Sequence, residues 1–311
     1  MKKSVLALAM AFGVTSAFAQ DLTSKKGEPI LPEAGDWAVS ADATPFLNYA
    51  GNFFGKVGPN NAPAFNFLGQ NNFILGKYFK DEKTAYRVGL NIGFNSQSKS
   101  AYVPQDQPNP ATPPAGTPAT TVTDKSKFSS TGIGLTVGIE KRKGKTRLQG
   151  YYGAELAFFI SSQKQTNTYG NGFAGTGTSP GTSPNPTSTT WYPNIDSSSV
   201  TGTQPKSVST GTVSSRVTQA KSGTTFQIGV RGFVGVEYFI LPKMSLGGEF
   251  GWGIGLKTTG AGSKSTEAIY TGNSSSVMTT KTAGSSAFVV GTNNTNSIFG
   301  PVGSIRMNFY F

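Results

Sequence analysis

The sequence predicts an all-β protein: an eight-stranded antiparallel up-and-down transmembrane β-barrel with short periplasmic turns and long extracellular loops. Three observations carry this expectation. Eight segments alternate apolar and polar residues with period two, the mark of strands with two different faces. The connections between them are short and long in turn. The chain finishes on an aromatic strand, Phe309-Tyr310-Phe311, whose end suits a membrane–water interface.

The N-terminal residues read as a secretory signal over 1–19. Lys2 and Lys3 form a basic start, Val5 to Val14 a short apolar stretch, and Ala17-Phe18-Ala19 a cleavage site before Gln20. About ten apolar residues fall short of the ~20 that a spanning helix needs. Residues 20–35 then form a periplasmic N-terminal segment, and 36–311 the barrel.

The strands follow in order. The first two are weakly patterned: 36–46, with Trp37, Val39, Ala41 and Ala43 on one face, and 70–79, with Phe73 to Phe79. The third is clear, with Tyr86, Val88, Leu90, Ile92 and Phe94 opposite Arg87, Gly89, Asn91 and Gly93. Ile133, Leu135, Val137 and Ile139 mark the fourth. Leu148 to Ile160 is the fifth, with Tyr152, Ala154, Leu156 and Phe158 opposite Gln149, Gly153 and Glu155. The sixth sets Phe226, Ile228, Val230, Val234, Val236 and Tyr238 against Gln227, Arg231 and Glu237. The seventh sets Leu246, Phe250, Trp252, Ile254 and Leu256 against Glu249 and three glycines. In the eighth, Ile305, Met307, Phe309 and Phe311 oppose Arg306, Asn308 and Tyr310. Several of these reach the ~9–11 residues of a tilted bilayer-spanning strand.

Short charged turns, Lys80–Lys83, Lys141–Lys145 and Ile240–Lys243, alternate with long connections at about 49–69, 96–127, 161–224 and 257–297. Outer-membrane barrels sort their loops in this way; a soluble sandwich has no reason to. A soluble lipocalin-like barrel would turn the large apolar residues inward and leave the Gly, Arg and Glu face in water. Residues 161–224 are mostly Ser, Thr, Gly, Asn and Pro, and 103–118 is Pro-rich, a composition expected to stay mobile rather than bury a core. The connections at 96–127, 161–224 and 257–297 are net basic, with nine lysines and Arg216 against Asp106, Asp124, Asp196 and Glu267. Trp191 and Tyr192 stand alone in this polar context and are expected to pack locally.

The chain has no Cys and no His. Stability therefore rests on the fold without disulfides, and the commonest general base and metal ligand are both missing. Catalysis, a cofactor and a metal are not expected. Of 27 basic residues, removing Lys2 and Lys3 leaves 25 against 15 acidic ones, a formal balance of +10. With a secretion signal and no basic helix, lipid headgroups or lipopolysaccharide phosphates are more natural counter-charges than nucleic acid.

Sorting charges by face gives a candidate site. Arg87, Arg147, Arg231 and Arg306 fall on polar faces, as do Glu140, Glu155, Glu237 and Glu249: four against four. An eight-stranded barrel is just wide enough for side chains to fill, so these charges must pair inside it. Distance from the turns suggests Glu140 with Arg147, and Glu155 with Arg231. Such a network either fills the lumen or gates a narrow ion path. Gly251, Gly253 and Gly255 make room for neighbouring interior side chains or curvature. Pro45 and Pro301 are expected as bulges or strand ends at the closing seam.

The chain resembles the small outer-membrane β-barrel proteins of Bacteroidetes-type bacteria. The carriers are Gly27-Glu28-Pro29-Ile30-Leu31-Pro32-Glu33-Ala34-Gly35-Asp36-Trp37, Lys77-Tyr78-Phe79, Thr84 to Leu90 and Phe309-Tyr310-Phe311. The resemblance implies that Phe309, Tyr310 and Phe311 form the signal read by the barrel-assembly machinery. It covers strands and turns, and says nothing about activity. The expected function is a structural or surface-interaction scaffold in the outer membrane with a charge-paired lumen; the alternative is a narrow channel for ions or small solutes.

Overall fold

A computed structural model describes residues 22–24, 26–55, 74–106, 115–116, 118, 120–172, 186–192, 206–269, 275–291 and 303–311. The signal segment, with Ala19 and Gln20, and Pro301 lie outside the described residues.

The elements, in chain order, are β1 (Trp37–Asp42), α1 (Thr44–Gly55), β2 (Ile74–Asp81), β3 (Thr84–Pro104), β4 (Thr121–Lys143), β5 (Leu148–Thr168), β6 (Thr187–Tyr192), β7 (Lys206–Thr212), β8 (Ser215–Lys221), β9 (Thr225–Leu241), β10 (Met244–Thr259), β11 (Gly262–Ile269), β12 (Ser275–Thr282), β13 (Ser285–Gly291) and β14 (Gly303–Tyr310). Eight of them, β1, β2, β3, β4, β5, β9, β10 and β14, are hydrogen-bonded in that order into a closed antiparallel ring. β14 returns to β1 with Ala38 opposite Tyr310 and Asp42 opposite Arg306. Trp37 and Phe311 exchange both backbone bonds, at 3.1 and 2.8 Å. Each ring strand coincides with one of the eight alternating segments.

The two faces of the ring differ in kind. Along β3, Tyr86, Val88, Leu90, Ile92 and Phe94 are exposed, while Arg87 and Asn91 are buried. β9 and β10 repeat the pattern, with Phe226, Val230, Val234, Val236, Phe250, Trp252, Ile254 and Leu256 exposed and Arg231, Glu237 and Glu249 buried. Most large apolar side chains of the ring thus face outward while its glutamates and most of its arginines face inward, the reverse of a water-soluble core.

The short-turn end is plugged. Ile30, Ala38, Phe79, Ala85, Phe239 and Tyr310 form a buried cluster, and Ile30 is fully enclosed. It arrives from the N-terminal segment, which packs under the ring. The Ile30 N–H donates to the Leu22 carbonyl (2.9 Å), and its own carbonyl accepts from the Lys243 N–H (3.4 Å). Lys243 sits at φ 56° in the β9–β10 turn, and its ammonium pairs with Asp36.

At the other end, the described parts of the stretch expected to stay mobile, 161–224, include strands. β3, β4 and β5 run 21, 23 and 21 residues, and 23 residues of strand extend about 75 Å. β8 pairs with the far part of β5 and with β11, and β11 pairs with β12. β6 and β7 form a separate hairpin. These segments carry Ser and Thr on both faces, so no apolar alternation announces them. The β-branched threonines still suit a strand, and neighbouring ladders supply partners. Pro45 is neither bulge nor strand end. It lies in the first turn of α1, where a missing N–H costs nothing.

Ile30→Ala is expected to destabilise the protein by about 2–5 kcal/mol, whereas Leu22→Ala at the surface should stay within about 0.5 kcal/mol. Urea-unfolding midpoints compare them. Equal, small effects would mean that the segment is not docked.

Candidate functional site: the interior charge network

Above the plug, strand alternation aims one charged side chain after another at the ring's centre. Arg87 and Glu249 stand on β3 and β10, opposite sides of the ring with three strands between them either way. The Arg87 Nη1 donates to Glu249 Oε2 at 2.9 Å. Arg231 on β9 donates to both Glu249 Oε1 and Glu155 Oε1, each at 2.9 Å. Arg87 Nη2 also lies 3.8 Å from Glu155. Its guanidinium carbon stacks 3.8 Å from the Phe233 ring centre, and Arg231 approaches the same ring at 5.7 Å.

Glu140 continues the network toward the plug. It accepts from Lys77 (2.9 Å), Arg142 (3.1 Å) and Arg87 (3.4 Å). The second arm of Arg142 pairs with Glu237. Glu237 also accepts from the Tyr310 hydroxyl (2.9 Å), Asn308 (3.1 Å) and Ser245 (3.2 Å). Asn308 in turn accepts from Ser40 on β1, which carries the network to the seam. Lys77, Arg87, Glu140, Arg142, Glu155, Arg231, Glu237 and Glu249 are all nearly inaccessible to solvent.

Room for these side chains comes from glycine. A Cβ added at Gly251 would overlap the Arg231 guanidinium, and one at Gly153 would overlap the Phe233 ring. The Gly251 position therefore acts as a notch for an interior arginine, as its place opposite the apolar face suggests.

Six of the eight charges selected by face converge here: Arg87, Glu140, Glu155, Arg231, Glu237 and Glu249. Arg306 is buried on β14, and its Nε donates to Ser304 (3.2 Å). Arg147 is a correction. It lies in the β4–β5 turn and donates to the Ile240 carbonyl (3.4 Å), so Glu140 pairs with Lys77, Arg87 and Arg142 instead. β4 runs on to Lys143, past the point where a charged run looked like a turn. Arg142 follows Glu140 by two residues and keeps its face. Lys77 has the register partner Arg87, and this cross-strand neighbour was the signal available for it. Of the terminal aromatics, Phe309 and Phe311 face outward, while Tyr310 joins the network.

Above the network lies a layer of neutral polar groups. Gln165 donates to Ser126 (3.2 Å) and Asn167 (3.1 Å). β6 rests against this inward face, with Ser188, Thr189 and Trp191 buried. Asp124 accepts from the backbone of Thr189 (2.6 Å) and Gly170 (2.9 Å). Arg216 bridges to Glu267 (2.9 Å) and stacks on Tyr169 (4.4 Å). Burial pushes the Tyr169 phenol above its ordinary pKa.

Each of the four network glutamates meets at least one cation, which suits space-filling and cross-bracing better than proton transfer. Among the described residues, no three potential metal-ligating side chains converge. Comparison with protein-family models, curated proteins and solved structures gives no match.

Glu249→Ala leaves Arg87 and Arg231 without their shared carboxylate and is expected to cost about 3–5 kcal/mol in urea unfolding. Arg147→Ala should change stability by less than about 0.5 kcal/mol. The reverse order would contradict this assignment of partners.

Proposed function

We propose that this protein is an outer-membrane β-barrel that serves as a rigid surface scaffold, its lumen filled and its far strands displayed beyond the membrane. The observation that carries the reading is the inverted polarity of the ring: exposed Tyr, Val, Leu, Ile, Phe and Trp outside, paired ions inside. Such a ring exposes its backbone ladder to nothing, which a bilayer requires of any spanning sheet.

Flanking residues support the same reading. Toward the short-turn end the outer face carries Trp37, Tyr78, Tyr86, Tyr152, Tyr238, Phe309 and Phe311, an aromatic girdle of the kind found at a membrane interface. Trp37 and Tyr78 pack with ring centres 4.8 Å apart. Just beyond them on β4, Lys141 and Lys143 are exposed. No described helix is long and apolar enough to cross a membrane, so strands would do the spanning.

Scaffold is favoured over channel because three obstructions succeed one another along the axis: the Ile30 plug, the ion network, and the polar layer covered by β6. The extended β3–β5 wall with β8, β11 and β12 then offers the surface where a partner would bind. Export through the periplasm and handling of Phe309-Tyr310-Phe311 by the assembly machinery belong to the same proposal, as do the absence of catalysis and of a bound cofactor.

Planar-bilayer recording of the purified, refolded protein tests the filled lumen. Insertion without discrete conductance steps is expected. Regular steps from the intact protein, lost or altered in Arg231→Ala, would turn the reading to the narrow channel.

A further inference from the structure

Four lysines gather on one patch of the outer face. Lys125 and Lys127 lie on β4, Lys164 on β5 and Lys221 on β8, and all are exposed. Register places Lys127 opposite Thr166, Ser129 opposite Lys164, and Lys164 directly opposite Lys221. Cross-strand neighbours stand about 5 Å apart, so a Lys–Lys pair there is repulsive unless an anion lies between them. Among the described residues, no carboxylate pairs with any of the four. The remaining outward residues around them are hydroxyls and amides: Ser98, Ser100, Ser129, Thr166, Thr168 and Gln219. Asp124, the nearest acid in sequence, points inward and is held by β6.

The patch is concave. Lys125, Lys127, Ser129, Lys164, Thr166 and Thr168 line a pocket of about 390 Å³. Its position matters as much as its charge. On β4 the last outward apolar residue is Ile133, and on β5 it is Ile160. Lys164 follows Ile160 by four residues, about 13 Å along the strand, while Lys127 and Lys125 stand six and eight residues from Ile133, about 20 and 26 Å. The Lys164 stem can reach down part of that distance and keep its ammonium at the polar boundary. A ligand filling the pocket therefore has apolar surface below it on the same two strands, past the outward hydroxyls of Thr131 and Ser162.

We infer that Lys125, Lys127, Lys164 and Lys221 form a binding site for the phosphate-bearing headgroup of a lipid. The phosphate sits among the ammonium and hydroxyl groups, and the acyl chains lie along Ile133, Ile160 and the apolar face below. The inference rests on the membrane reading above, because only a ring embedded in lipid presents both halves of such a ligand together. A free anion would use the pocket alone, and an acidic protein would gain nothing from the apolar face.

The test uses the full chain in micelles of an uncharged detergent, titrated with short-chain phosphatidic acid, diacylglycerol of the same chain length, or inorganic phosphate. Phosphatidic acid should bind well above diacylglycerol, and inorganic phosphate at equal concentration should not displace it. At about fivefold per lysine, Lys125→Gln, Lys127→Gln and Lys164→Gln combined should weaken binding roughly a hundredfold. The same three positions changed to Arg should retain it, which guards against a folding defect in the Gln protein. Equal binding by the Gln variant, no preference over diacylglycerol, or full competition by inorganic phosphate would each overturn the site. Phosphatidylcholine vesicles keep the two claims separate. A wild-type protein that inserts into them yet shows no phosphate preference overturns this site alone; one that fails to insert overturns the membrane reading and this inference with it.

Discussion

Glu249 accepts hydrogen bonds from two arginines that reach it from different parts of the ring, and the interior is organised around that shared carboxylate. The constraint behind it is geometric. Eight strands enclose a space that side chains can fill but water cannot readily occupy. Any ion placed there must find its counter-ion across the lumen or cost several kcal/mol. Arg87–Glu249 spans the ring, Arg142–Glu237 crosses from β4 to β9, and Lys77–Glu140 joins β2 to β4. Each tie fixes strands that are not neighbours, which backbone ladders cannot do. Arginine supplies most of them because a planar fork can serve two carboxylates at once, as Arg142 does with Glu140 and Glu237.

The rest of the molecule follows from a polar interior. With charges inside, period two sends most of the large apolar residues outward, where the proposed reading sets them against lipid. The two ends are then closed differently. The short-turn end uses a segment from outside the ring, with Ile30 seated among Phe79, Phe239 and Tyr310. The opposite end uses hydrogen-bonded amides and hydroxyls, with Trp191 of β6 set against them. Tyr310 belongs to both systems: its ring packs in the plug, and its hydroxyl donates to Glu237. The patch of lysines above the apolar belt completes the division of the outer wall into an apolar zone and a cationic rim.

The ring was legible in the sequence because apolar alternation and loop length are both local signals. Leu90, Ile133 and Trp252 each announced their face, and short turns announced which strands are neighbours. The fourfold balance of the interior charges was legible too, with six of the eight network members; Lys77 and Arg142 were not. Arg142 was hidden because Lys141-Arg142-Lys143 reads as a turn, while the ladder to β5 carries the strand through it. Arg147 was misplaced for the same reason. Lys77 needed the tertiary partner Glu140 to show why an ammonium would be buried. The far strands were illegible by hydropathy, because Ser, Thr and Gly look alike on a solvated strand and in a loop. The docking of Ile30 depends on a cluster drawn from five strands, which no local pattern records.

The central claim is that the outer face of this ring meets lipid and the inner face does not. The three tryptophans allow a direct measurement, since Trp252 faces outward and Trp191 is buried inside. Variants retaining one tryptophan each, with the other two replaced by Phe, would be reconstituted into vesicles whose acyl chains carry bromine, a contact quencher of indole emission. Strong quenching of Trp252 with little effect on Trp191 is expected. An unquenched Trp252, or equal quenching of both, would contradict the account.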